Sequence, residues 1–200
     1  MTYIIIGIIL AGGLIFYLTS CGNKSKANSN GTVTEQDTTK PKVHQTKENA
    51  FEGLRTMALS ATPEQLQLSL PTDKTVVYGV IMDWGMDGAT ATIVSYQTGD
   101  ASMYLSSGGG VIGGGQHQNV NSAAKQFVNL AQTYLDKATK TETTDLPSTD
   151  QVKFYLLTNK GKFVGQDNMK SFENNSSEWL KLFEEGNKVL TELRMTTEKK

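Results

Sequence analysis

Two hundred residues with a hydrophobic share of 38% are too polar to be globular throughout, so part of the chain lies outside any packed core. Charge is nearly balanced but unevenly placed: residues 22–47 carry five lysines against Glu35 and Asp37, a net +3, while residues 48–200 carry 14 Lys and Arg against 18 Asp and Glu, a net −4. An acidic body without a basic stripe argues against nucleic acid, whose phosphates are met by clustered Lys and Arg, and a single cysteine, Cys21, excludes an internal disulfide or a cysteine metal cluster.

Tyr3 to Leu18 is an uninterrupted apolar run, which reads as a secretory h-region or a membrane span. Sixteen residues in a helix cover about 24 Å of a hydrocarbon core of about 30 Å, so a span has to recruit Thr2, Thr19 and Ser20. Leu18-Thr19-Ser20-Cys21 follows, and these four residues resemble the bacterial lipobox: an aliphatic residue, two small ones, then the cysteine that is lipidated after cleavage. The resemblance implies a lipid on Cys21 and a membrane-held, extracytoplasmic protein. The n-region lacks the usual Lys or Arg, which keeps two other readings open. One is an uncleaved single-span anchor whose flanking Lys24 and Lys26 place the domain in the cytoplasm; the other is an ordinary cleaved signal.

Residues 22–47 contain only Ala27, Val33 and Val43 as apolar residues and cannot bury enough surface to offset their ordering entropy, so they read as a polar linker. The globular domain is expected over 48–200. Phe51, Leu54, Met57 and Ala58 are spaced for a short helix. Thr62-Pro63-Glu64-Gln65 then predicts a capping box, with room for only a turn before Pro71.

Thr75 to Met82, Ala89 to Tyr96 and Ser102 to Leu105 are rich in β-branched and aromatic residues and predict a meander whose first hairpin is Asp83 to Gly88. After a glycine-rich loop, Asn119 to Lys140 carries one apolar face from Val120 to Ala138. Two more strands, Val152 to Thr158 and a short one through Val164, flank an Asn159-Lys160-Gly161 turn. A last helix starts near Ser176, capped by Asn175, with Trp179, Leu182 and Phe183 on its apolar face.

The expected fold is therefore α+β: two layers, with a five-stranded, mainly antiparallel sheet in the order α-β-β-β-α-β-β-α. That element order resembles type III secretion chaperones and, less closely, profilin-like domains, but by topology alone, and fold does not carry function. The stretches VYGVIMDWG, TGDASMYLSSGGGVIGGGQH and FYLLTNKGKF resemble a bacterial domain family with no assigned activity, so this likeness implies no chemistry.

Gly108, Gly110 and Gly113 satisfy G-x-G-x-x-G, which in a dinucleotide site lets backbone approach a pyrophosphate. Here the pattern follows an antiparallel meander, and no P-loop lysine comes after it. A permissive loop with Val111 and Ile112 plugged into the core is the preferred reading; an enzyme or nucleotide-binding domain built on 108–115 is the alternative. Asp83, Asp87 and Gly88 match calcium-loop positions 1, 5 and 6, but Val94 stands where the bidentate acid belongs. Ser106, Ser107, His117 and Asp100 offer hydrolase residue types without the G-x-S-x-G elbow.

If the meander runs up, down and up, the 83–88 hairpin, the 106–116 loop and the 159–161 turn share one rim. This places Asp83, Trp84, Asp87, Ser106, Ser107, the loop glycines and His117 on one recognition surface. The reading is a membrane-tethered, non-enzymatic binding or protein-interaction domain, a layout that an immunity or inhibitor protein fits equally well, with a protein partner and without metal or cofactor.

Overall fold

The computed structural model describes residues 47–198. The lipobox-like segment, including Cys21, and the expected linker up to residue 46 lie outside these residues; Lys47, its last residue, already belongs to the first helix.

Helix α1, Lys47–Ser60, turns Phe51, Arg55, Ala58 and Leu59 inward. The capping box expected after it is present: the Thr62 N–H donates to Gln65 Oε1 at 2.9 Å, and the Gln65 N–H donates back to Thr62 Oγ1 at 3.3 Å. It closes a single turn, as Pro71 requires.

The sheet has seven strands, not five. They are β1 (Val77–Met86), β2 (Ala89–Tyr96), β3 (Ala101–Leu105), β4 (Gly110–Val111), β5 (Thr139–Thr141), β6 (Gln151–Thr158) and β7 (Gly161–Asn168), in the order β4-β3-β2-β1-β6-β7-β5. Every pairing is antiparallel. The two unexpected strands are the edges, two and three residues long, too short to show a period-2 pattern. Short edges also present little unpaired backbone to a foreign strand.

Helix α2, Gln118–Gln132, is shorter than its apolar spacing predicts. Tyr134 stays buried beyond its end, but the chain tightens into a 3-10 turn at Leu135–Lys137 and enters β5. The C-terminal part also divides: α3, Met169–Glu173, precedes α4, Leu180–Glu198. Ser177 lies just ahead of α4 and accepts the Trp179 N–H at 3.1 Å, the capping duty expected of Asn175. The element order among the described residues is thus α-β-β-β-β-α-β-β-β-α-α.

Both faces of the sheet are covered, which corrects the two-layer expectation. On one face Val80, Met82, Ile93, Phe154 and Leu156 meet Val120, Ala124 and Phe127 of α2 and Leu182, Val189 and Leu193 of α4. On the other, Ile81, Val94, Tyr104, Tyr155 and Leu157 meet Phe51, Ala58 and Leu59 of α1. Tyr78 joins this second cluster because a bulge between Val77 and Gly79 shifts the register there.

Candidate functional site

Strand β1 runs on to Met86, so the first hairpin turns at Asp87 and Gly88 alone. Asp83 and Trp84 are consequently strand residues, not loop residues. Asp83 is fully buried on the α1 face, where Arg55 Nε and Nη2 donate to its Oδ2 at 3.0 and 2.6 Å and Thr92 Oγ1 donates to its Oδ1. A charge this deep persists only with its lone pairs filled, and here both oxygens are engaged. The Arg55 guanidinium also lies 5.6 Å from the centre of the Tyr155 ring. Burial pushes the Tyr155 hydroxyl up to about 12, with the Asp83 charge adding to the effect and Arg55 opposing it.

Trp84 points to the other face. It is half-buried and meets Phe183 edge-on at 5.7 Å between ring centres. Neither residue lies in the hairpin turn where the sequence places it: the alternation of β1 carries one toward each core.

The expected rim holds in part. The Asp87-Gly88 turn and the Ser106–Gly109 turn share one end of the sheet, joined by the Thr90 N–H donating to Ser106 Oγ at 2.7 Å and the Ser106 N–H donating to the Thr90 carbonyl at 2.9 Å. The Asn159-Lys160 turn does not join them. Because Val77 pairs with Thr158 and Trp84 with Val152, that turn sits where β1 begins, at the opposite end.

His117 is exposed and heads α2, also away from this rim; nearby Asn121 Nδ2 donates to the Thr98 carbonyl at 3.3 Å, in the β2–β3 turn. Five-residue β3 separates Asp100 from Ser106, roughly 17 Å, so Ser106, His117 and Asp100 do not converge. Ser107 is exposed.

Glycines 108–110 form the turn into β4 rather than a strand-to-helix crossover. Gly108, Gly109 and Gly110 have φ of 105°, 88° and 157°, and a Cβ on Gly110 would collide with the Met103 carbonyl of the paired strand. Gly113 donates its N–H to Ser102 Oγ at 3.1 Å. Val111 is half-buried, as a plug would be, but Ile112 is 66% exposed, which overturns its expected place in the core.

This end of the sheet instead builds two clefts, both lined by Phe51. The first, about 300 Å³, lies between Phe51, Glu52, the β1–β2 hairpin, Ser106 and Leu146-Pro147. The second, also about 300 Å³, lies between Ala50, Leu54, Tyr104, Gly108–Gly110 and Ile112. Among the described residues, Glu52 is the one ionisable side chain lining the first, and Tyr104 the one lining the second. Leu146, 41% exposed, and Ile112 add apolar surface to the two openings.

Sequence reasoning missed Phe51, Glu52, Arg55 and Leu146. A signal for one existed: Arg55 stands four residues after Phe51 and three before Ala58, on the apolar face of α1, and a cation there implies a buried anion across the interface.

Among the described residues no group of His, Cys, Asp and Glu is arranged to hold a metal, and no helix is long and apolar enough to cross a membrane. Comparison with protein-family models, with curated proteins and with solved structures finds no match.

Proposed function

We propose that this chain is a membrane-tethered, non-enzymatic interaction domain that meets a protein partner through the end of the sheet carrying Phe51, Ile112 and Leu146. The observation that carries the reading is the pair of clefts lined by Phe51, walled by backbone-rich glycine turns and edged by exposed apolar side chains. Recognition surfaces commonly sit on turns held by a rigid scaffold, and exposed apolar side chains beside a cleft give a partner something to desolvate. The clefts offer apolar contact and one carboxylate, which favours a partner presenting apolar side chains with a cation nearby. They lack a convergent set of nucleophile, base and oxyanion donors.

Membrane attachment rests on the sequence: an apolar run, four lipobox-like residues ending in Cys21, and a polar linker before the domain. A lipid on Cys21 places the domain outside the cytoplasm. The test uses the full chain, crosslinked in envelopes, as wild type, Ile112→Asp and Met195→Asp. Met195 is 47% exposed on α4 and serves as the control. A specific partner lost with Ile112→Asp and kept with Met195→Asp supports the reading, provided both variants melt like wild type; a partner kept by both refutes the assigned surface. Palmitate labelling of wild type but not of Cys21→Ala tests the tether separately.

A further inference from the structure

We propose that α1 is a releasable latch: it lies on a face of the sheet where Asp83, Thr92 and tyrosine hydroxyls are set among apolar side chains, is locked there by the Arg55–Asp83 pair, and opens while the rest of the domain stays folded.

Four observations carry this. First, α1 sits on its own hydrophobic cluster, separated by the sheet from the larger cluster under α2 and α4, which does not use it. Second, much of its hold is polar and directional. Besides the Arg55–Asp83 pair, the Tyr96 hydroxyl donates to the Ala58 carbonyl at 2.8 Å and the Tyr78 hydroxyl to the Ala61 carbonyl at 2.8 Å, satisfying carbonyls at the helix end. Once α1 lifts, Asp83, Thr92 and the tyrosine hydroxyls take water instead, so opening bares less apolar surface than releasing α2 or α4 from the larger cluster would.

Third, the chain is clamped by several polar contacts downstream of α1, and the stretch between is held more lightly. Asn159 Nδ2 donates to the carbonyls of Pro71 and Lys74 at 2.7 and 3.0 Å, and Lys160 Nζ donates to that of Thr72 at 2.8 Å. Beyond the Ala61 carbonyl held by Tyr78, residues 62–70 reach the sheet through half-buried Leu66, Leu68 and Leu70, leaving a hinge ahead of the clamp. Fourth, α1 carries Gly53 in its exposed middle, where a Cβ would meet nothing within 4 Å. Packing does not require glycine there, and its effect is to weaken the helix.

Open sub-global states of this kind are read by native-state hydrogen exchange. On the full chain, amides of α1 are expected to exchange at least about a hundredfold faster than those of β1 and β6. Gly53→Ala is expected to slow α1 exchange about fivefold, the ratio that the helix-propensity difference gives, without moving β1 or β6. Arg55→Ala is expected to speed α1 exchange more than tenfold while β1 and β6 keep their rates. The proposal is overturned if α1, β1 and β6 amides exchange together in wild type and shift together in Gly53→Ala, a variant that cannot fail to fold for lack of space.

Discussion

The two faces of the sheet are built on different physics. The α2/α4 face is a large hydrocarbon and aromatic core: Trp179 stacks on Phe154 at 5.6 Å and lies 5.2 Å from Tyr134, and Phe172 meets Phe183 at 4.6 Å. The α1 face holds fewer buried apolar residues and is studded with groups that need partners, namely Asp83, Arg55 and the hydroxyls of Tyr78, Tyr96 and Tyr155. Burial of apolar area is non-directional and survives small shifts, whereas a buried pair is stabilising only in register. The first face should therefore carry the stability of the domain, and the second should decide whether α1 is seated.

Trp179→Ala gives the largest expected loss, about 4 kcal/mol, because the ring is 3% exposed and its removal leaves a cavity against Phe154 and Gly165. A urea midpoint shift of under half that size would show that the large face is not the main source of stability. Trp84→Ala comes next at about 2 kcal/mol, since a half-buried ring held edge-on by Phe183 loses only part of a core tryptophan's burial. If it melts like wild type, Trp84 is a surface residue as the sequence alone suggests, and the register of β1 is wrong.

Both tryptophans are instructive about what a sequence can show. Trp179 is legible as core because Leu182 and Phe183 follow at helical spacing. Trp84 is not, because Asp83-Trp84-Gly85 reads as the start of a turn. The ladders to β2 and β6 carry the strand through Asp83, and Arg55, 28 residues earlier, makes the buried carboxylate tolerable there; no local pattern encodes either. The Thr62–Gln65 box was legible for the opposite reason: all its partners lie within four residues. The edge strands escaped because Gly110–Val111 and Thr139–Thr141 have no alternation to detect. The clefts escaped because their walls come from four separate stretches of chain that only the sheet register brings together.

On the α1 face the losses should be smaller and local. Tyr96→Phe keeps the ring and removes one hydrogen bond, leaving the Ala58 carbonyl only the long 3.4 Å bond from the Ala61 N–H, with an expected cost of about 1 kcal/mol. The midpoint should move little, while protection of the last turn of α1 falls. A loss equal to that of Trp179→Ala would mean that the hydroxyl holds the whole domain and that the two faces are not separable.

The smallest effect expected at moderate pH, and the one that separates the faces most cleanly, is alkaline. Burial raises the hydroxyl pKa of Tyr78, Tyr96 and Tyr155, all on the α1 face, and brings Tyr155 to about 12. A tyrosine raised in the folded state is neutral there while its unfolded counterpart ionises near pH 10. The stability it contributes is therefore fully present below about pH 10 and is lost as pH rises through about 12. The face carrying these groups should loosen first. Both tryptophans of the chain lie on the other face, so their emission reports the α2/α4 core while tyrosinate absorbance follows the ionising hydroxyls. Raising the pH should bring faster exchange of α1 amides and the first tyrosinate absorbance before any change in tryptophan emission. Emission that shifts together with α1 exchange would show one cooperative unit instead, with the Arg55–Asp83 pair holding both faces to a single transition.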